Sequence, residues 1–417
     1  MSYPWRSDGK ELLSGSMGRP CHEVGDVFRR YGGGYRTTHS LNRKQLSVMD
    51  AIERCRTSQL GYHMDECDEC GHLEHSYNSC RDRHCPKCQG ISRRKWVNGR
   101  LEDLLPVPYY HVVFTLPDKL FPMCLYNKRV IYELLFSSAS ETLLSFGRDP
   151  RWLGGEMGFF GVLHSWGQTL WHHLHAHFMV PGGALSEDGR WIEPKYKGKF
   201  LFPVVALSKV FRGKFIEGLK KAHVRGDLVF TDDMSCFADE GLFDGWCDEL
   251  VSKDWVVYCK PPFSGAEHVV KYIGRYTHRV AISNSRLVSI DNGEIIFRYK
   301  DYKDKEVLWK EMALGANEFI QRFLWHVLPS GFHKIRHFGF LTNAKCKVKV
   351  ARIRALLQEE GQEMITGVLE DIRGFICGVC GKGKMVPLLV IDRFGNMLSS
   401  IGDGAKPLPD ACFDTLW

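Results

Sequence analysis

Apolar and polar residues change their spacing several times along the chain. YYHVVFTLP, from Tyr109 to Pro117, is a nearly continuous apolar run closed by proline, which predicts a buried strand. KRVIYELLFSSASETLLSF, from Lys128, has the spacing of an amphipathic helix. EMGFFGVLHSW, from Glu156, reads as a second strand leading to HLHAHFMV, His173 to Val180. There the period is two: Leu174, Ala176, Phe178 and Val180 share one face, and His173, His175 and His177 share the other. Pro181-Gly182-Gly183 then supplies turn residues. From Leu207, the residues Leu207, Val210, Phe211, Phe215 and Leu219 recur at helical spacing, with Lys209, Arg212, Lys214, Lys220 and Lys221 on the opposite face. Near residues 291–302 a hairpin is predicted around Asn292-Gly293. KCKVKVARIRALLQEE, from Lys345, predicts a basic helix. YGGGYR, residues 31–36, reads as a flexible turn. There is no internal repeat. Strands and helices intermix as in an α+β protein rather than a doubly wound sheet.

At 417 residues, two to four domains are expected. The texture divides the chain into an N-terminal arm (1–45), a cysteine-rich domain (46–105), a mixed domain (106–290) and a C-terminal region (291–417). A net charge of +7 is too small for a polybasic binder, so any nucleic-acid surface must be local. No apolar run reaches the roughly 18 residues of a membrane span. MSYPWRSDGKELLSG lacks the apolar centre of a signal peptide, so a cytoplasmic protein is expected.

Fifteen cysteines in such a chain argue for metal rather than disulfides. Cys67-x2-Cys70 and Cys85-x2-Cys88 have the spacing of two knuckles closing one tetrahedral structural Zn2+ site. Cys55, His63, Cys80 and His84 lie close by in sequence but lack knuckle spacing; they form an alternative second set. Arg81, Arg83, Lys87, Arg93, Arg94, Lys95 and Arg100, with Trp96 among them, suit phosphate contact with base stacking. The plainer reading is a solvated helix start. A further pair, Cys377-x2-Cys380, is a half-site for a possible second zinc; Cys346, His333 or His337 are candidates to complete it.

Three imidazoles on one strand face pack poorly and ligate metal well; a polar face touching water is the alternative. VVKYIGRYTHRV sets Tyr272 and Tyr276 four residues apart, on one face of a helix, among Lys271, Arg275, His278 and Arg279. Such a pair by itself is more often interface or core. Beside a metal-bound phosphate, basic neighbours make tyrosine attack chemically reasonable.

These segments together resemble the insertion-sequence-91 family of transposases, the two-tyrosine HUH rolling-circle type. FRRYGGGYRTTHSL and CRTSQLGYH resemble the family's N-terminal region, and NSCRDRHCPKCQG its zinc-binding domain. HVVFTLP resembles the first HUH motif, HSWGQTLWHHLHAHFMVPGGALSEDGRW the histidine motif, and KYIGRYTHRVAISNSR the tyrosine motif. FRYKDY and LPSGFHKIRHFGFL are further family-like stretches. The resemblance implies a zinc-binding domain at 46–105. It implies an HUH nuclease domain at 106–290, with an inserted helical segment and a central antiparallel sheet flanked by helices. His175 and His177 match the histidine–hydrophobic–histidine element, with His173-Leu174-His175 as an alternative frame. Leu174 stands where the family usually has proline.

The implied chemistry is cleavage and rejoining of single-stranded DNA at element ends, with target DNA as second partner. His175 and His177 would hold Mg2+ or Mn2+, with Gln168 or His173 as third ligand, and Tyr272 or Tyr276 would form a 5′-phosphotyrosine. Arg81, Arg83, Lys87, Arg93, Arg94, Lys271, Arg275 and Arg279 would contact DNA. A transposase would work in the cytoplasm, associated with the nucleoid. Competing readings are an HUH replication initiator or relaxase, a non-catalytic zinc-ribbon DNA-binding protein, and a small-molecule metallohydrolase.

Overall fold

The apolar runs of the middle of the chain build one five-stranded antiparallel sheet. Its strands are β3 (Tyr109–Thr115), β4 (Gly158–Trp166), β5 (His172–Pro181), β8 (Val257–Lys260) and β12 (Ile335–Gly339), in the order β12-β4-β5-β3-β8. The structure is a computed structural model. It describes residues 20–89, 104–195, 200–260, 280–302, 304, 307–342, 346–359 and 376–400. Tyr272, Tyr276, Arg93, Arg94, Lys271, Arg275 and Arg279 lie outside the described residues.

Period-two alternation gives this sheet two unlike faces. Val112, Phe114, Leu163, Ala176, Phe178 and Val180 enter the main core. Helices Lys128–Arg148 and Val204–Val224 bring Phe136, Leu143, Phe211, Phe215 and Leu219 to the same core. Phe178 is the hub: Phe114 and Phe159 meet its ring edge-on at 5.6 and 5.8 Å. Edge-to-face rings bury large apolar area in a fixed geometry, which pins the strand. Val210, assigned by its spacing to the buried face, stands exposed at the rim. The opposite face of the sheet is covered at one end by a second apolar layer. Phe160, Val162 and Met179 there meet helix Cys346–Glu359 and the short pair β6 (Ala184–Leu185) and β7 (Trp191–Ile192). The remainder of that face carries the histidines.

Within the N-terminal stretch 1–45, the described residues from 24 onward are helical and packed. Helix Val24–Thr38 runs straight through YGGGYR, and helix Arg43–Arg54 follows, started by an Asn42–Gln45 capping box. A Cβ on Gly32 would come within 2.8 Å of the Glu53 carboxylate and 3.2 Å of Met49 Cε, so the glycine lets the two helices approach closely. Tertiary packing here overrides the low helix propensity of glycine. Both helices share a core with helix Ala316–Trp325 and with the sheet β9 (Leu287–Asp291), β10 (Glu294–Lys300) and β11 (Trp309–Gly315). The hairpin between β9 and β10 turns at Asn292-Gly293, both at positive φ, as the sequence predicts. A last sheet, in the order β14-β13-β1-β2, joins β1 (Tyr62–Cys67) and β2 (Leu73–Tyr77) to β13 (Met385–Ile391) and β14 (Met397–Ser400). The fold is α+β, with a cysteine-rich unit near the N-terminus and a central antiparallel sheet flanked by helices.

Buried neutral imidazoles tie the sheet to its neighbours. His326 Nε2 donates to the Leu170 carbonyl at 3.0 Å, and its Nδ1 accepts from Ser165 Oγ at 3.1 Å. Burial pushes the His326 and His172 imidazoles down to a pKa of about 3. The unfolded chain takes up these protons below about 6.5 while the folded one does not. Their contribution to stability is therefore fully present above pH 6.5 and is lost progressively as the pH falls towards 3. At pH 5 each such histidine should destabilise the fold by about 2 kcal/mol relative to pH 7. Chemical unfolding at the two pH values checks this: His326→Gln, though less stable at pH 7, should lose less on acidification than the parent.

Candidate metal and nuclease site

Register brings three imidazoles together. His175 on β5 lies directly opposite His164 on β4, and His177 is the next residue on that face of β5. Candidate ligand atoms of His164, His175 and His177 all lie within 4.8 Å of one another. Two further contacts fix which nitrogens face the centre. His175 Nδ1 donates to the His173 carbonyl at 2.8 Å. His177 Nδ1 lies 2.8 Å from Nε2 of His111, which projects from β3 onto the same face. Burial first, then Lys260 and His175, push the His111 pKa down to about 3, which keeps His111 neutral and able to accept a proton from His177 Nδ1. Both β5 histidines thereby present Nε2. Outer hydrogen bonds of this kind set the tautomer and ring orientation of metal-binding histidines. The cluster has the donor set and spacing to hold one divalent cation.

The third imidazole is His164, not either candidate taken from the sequence. Gln168 turns away: its Oε1 accepts from the Lys300 amide at 3.4 Å and its carbonyl accepts from Arg286. His173 shares the face but is half exposed, with Nδ1 3.7 Å from Asp118. The fold thus groups His175 and His177, rather than His173, with His164. Lys260 and Tyr258, on edge strand β8, also share this face through their register with His111 and Val113. The chain leaves β8 at Lys260 and continues into the stretch that holds Tyr272 and Tyr276.

Thiols form two separate quartets. The expected single site of Cys67, Cys70, Cys85 and Cys88 is not what the fold assembles. Cys85 and Cys88 meet Cys55 and Cys80, with Cys88 Sγ 3.5 Å from Cys55 and 3.6 Å from Cys80. Hydrogen bonds from the Cys55, Cys80 and Cys85 thiols hold Cys88 as a thiolate, far below the ordinary thiol range. Cys67 and Cys70 meet Cys377 and Cys380 instead. The knuckle spacing identifies which thiols share a turn; β2 runs between the two knuckles and leads the chain away from the first towards the second. His63 and His84 join neither quartet, since His63 Nδ1 meets Asn78 at 3.0 Å and His84 Nδ1 meets Asp82 at 2.7 Å. Cys346 is buried in the apolar layer under its helix, and His337 lies on β12, so neither completes the Cys377–Cys380 pair; His333 is likewise outside the quartet.

The basic residues beside the first quartet have protein partners. Arg83 donates to the Phe332 and Pro329 carbonyls at 2.5 and 3.0 Å. Lys87 donates to the Cys55 carbonyl at 3.2 Å and pairs with Glu23. Arg81 holds a left-handed turn at φ 54°. Arg83 and Lys87 thereby tie the thiol cluster to its surroundings.

Two family models match the chain: "Transposase zinc-binding domain" over residues 27–116 and "Putative transposase" over residues 158–349. The first spans the Cys55 quartet together with Cys67 and Cys70, and the second spans the histidine strand. A putative transposase of Sinorhizobium fredii is 46% identical over 391 residues, 90% of this chain and 97% of that protein. The transposase for insertion sequence element IS801 of Pseudomonas savastanoi pv. phaseolicola is 28% identical over 305 residues, 72% of this chain and 71% of that protein. No solved structure matches the chain. With a zinc-binding domain and a transposase domain in this order, the chain belongs to the insertion-sequence-91 family of transposases.

Proposed function

We propose that this transposase is a metal-dependent HUH endonuclease and strand transferase acting on single-stranded DNA at element ends by a rolling-circle route. The observation that carries the reading is the His164–His175–His177 cluster, gathered on one sheet face with Nδ1 of both β5 histidines engaged in hydrogen bonds. A divalent cation bound there would polarise the scissile phosphate and stabilise charge on the departing 3′ oxygen. Three imidazoles favour Mn2+ over Mg2+. Tyr272 or Tyr276 attacks the phosphorus through its phenolic oxygen. The P–O3′ bond breaks, the proton lost by the phenol goes to the 3′ oxygen, and a 5′-phosphotyrosine remains. The phosphoester is conserved, so rejoining to a target 3′-OH needs no external energy source. The second tyrosine serves the second cleavage. Cys55, Cys80, Cys85 and Cys88 bind a structural Zn2+, and Lys271, Arg275 and Arg279 with Arg93 and Arg94 contact the DNA backbone. Such a substrate assigns the protein to the cytoplasm, at the nucleoid.

The test is a denaturing gel of the purified protein with single-stranded DNA carrying the element's terminus and Mn2+ or Mg2+. A metal-dependent protein–DNA adduct should form and should be lost in His175→Ala, in His164→Ala and in one of Tyr272→Phe or Tyr276→Phe. DNA binding without any adduct, at a terminus known to support transposition in cells, would leave only a binding protein. An adduct that survives His175→Ala would falsify the metal assignment.

His111 is a positioning residue in this scheme. His111→Phe removes the acceptor for His177 Nδ1 and should weaken Mn2+ binding about 10- to 100-fold. His111→Gln keeps an acceptor and should recover most of it. Isothermal titration of the cation alone reads both, and equal affinities in the two variants would reduce His111 to a packing residue. Mn2+ should also bind more tightly than Mg2+ in the parent.

A further inference from the structure

The Cys377–Cys380 knuckle lies outside both matched regions, which end at residues 116 and 349. The fold nevertheless sets it against Cys67 and Cys70. Cys67 Sγ is 3.7 Å from Cys380 Sγ, and Cys70 Sγ is 3.8 Å from Cys377 Sγ. A tetrahedral zinc with Zn–S bonds of about 2.3 Å has sulfur–sulfur edges of about 3.8 Å. Sulfur atoms crossed in pairs at that spacing surround a space the size of one ion.

The backbone is shaped for the same arrangement. CDECG and CGVCG are matching knuckles, each with a glycine at positive φ just after its second cysteine: Gly71 at 69° and Gly381 at 67°. In each, the glycine amide donates to the first cysteine's carbonyl, at 3.0 and 2.9 Å. Amides also point at the sulfurs: Val379 N–H at Cys377 Sγ, 3.4 Å, and Gly383 N–H at Cys380 Sγ, 3.3 Å. Amide donors favour the thiolate form that a cation binds. Gly383 is required by space, since a Cβ there would lie 2.4 Å from Cys67 Sγ. β1 and β13 pair along their length from Tyr62–Ile391 to Cys67–Met385, and so deliver the two knuckles to one end of the sheet.

We infer that Cys67, Cys70, Cys377 and Cys380 form a second structural zinc site, which clamps the C-terminal hairpin β13–β14 onto the N-terminal zinc-binding domain. The clamp joins cysteines 313 residues apart, and the whole nuclease sheet lies in the intervening chain. Few apolar side chains hold this junction: its buried cluster is Cys67, Cys377 and Met385 with Cys380 against it. So small a core needs the metal for its stability. Loss of this ion should release β13–β14 while the Cys55 quartet and the central sheet persist.

The experiment is native mass spectrometry of the full-length protein purified without chelator, paired with thiol alkylation. The parent should carry two zinc ions, Cys377→Ser/Cys380→Ser one, and the Cys236→Ser control two. In the parent, all four thiols of this quartet should resist iodoacetamide until a chelator is added. Chelation followed by mild oxidation should give disulfides linking the Cys67–Cys70 knuckle to the Cys377–Cys380 knuckle. That last readout uses the parent sequence, so it stands even if the double variant fails to fold. A parent with one zinc and with Cys377 and Cys380 alkylated at the free-thiol rate would overturn the proposal, as would two zinc ions retained in the folded double variant. A parent with one zinc and with Cys55 alkylated instead would remove the first site and leave this one standing.

Discussion

The structure depends on the alternation along β5. This strand is hydrogen-bonded on both sides, to β4 and to β3, so neither edge can adjust independently. One face presents Leu174, Ala176, Phe178 and Val180 to the helical layer, and the other presents His173, His175 and His177. A slip of one residue would exchange the faces and drive imidazoles into an apolar core. The aromatic nest around Phe178 and the meeting of His164 with His175 are thus two consequences of one register. Packing on one side of the sheet holds the geometry of the chemistry on the other.

Three strands of this sheet, β3, β4 and β5, were legible because their signals are local, whereas the short edge strands β8 and β12 were not read. A period of two over HLHAHFMV and of 3.6 over Lys128–Arg148 and Val204–Val224 needs no knowledge of neighbours, and the Asn292-Gly293 turn is set by its own dihedral demands. The helix through YGGGYR was not legible, since Gly32 is favoured there by the approach of Met49 and Glu53 from another helix. His164 escaped for a related reason. It sits in an apolar strand as a lone histidine, and only the β4–β5 register reveals that it stands opposite His175. Gln168 and His173 were nearer in sequence to the pair, yet a connecting turn carries the first to another sheet and strand position carries the second towards Asp118.

The cysteines show the same division between local and distant information. A knuckle spacing states that two thiols share a turn, but not which turn they will face. Cys67-Cys70 and Cys85-Cys88 are neighbours in sequence and join different quartets, because β1 ends at one and the loop after β2 enters the other. The glycine that follows Cys70 and Cys380, and is missing directly after Cys88, was a readable sign that the first and last pairs are matched. Cys55 and Cys80 carry no knuckle spacing at all. They are placed by the end of helix Arg43–Arg54 and by the return of β2, two positions that only the folded chain brings together.

Segments described near both ends of the sequence pack against elements far away along the chain. Helices Val24–Thr38 and Arg43–Arg54 share their core with β9, β10 and helix Ala316–Trp325, and β1 pairs with β13. Residues of the zinc-binding domain therefore meet segments late in the transposase domain and beyond it. Arg83 reaches the Pro329 and Phe332 carbonyls just before β12, the strand that flanks β4. In this arrangement the Cys55 quartet's loop is tied to the segment that leads into the sheet carrying the histidine cluster. The zinc-binding domain is as much a part of the site's scaffold as the helices that fill its core.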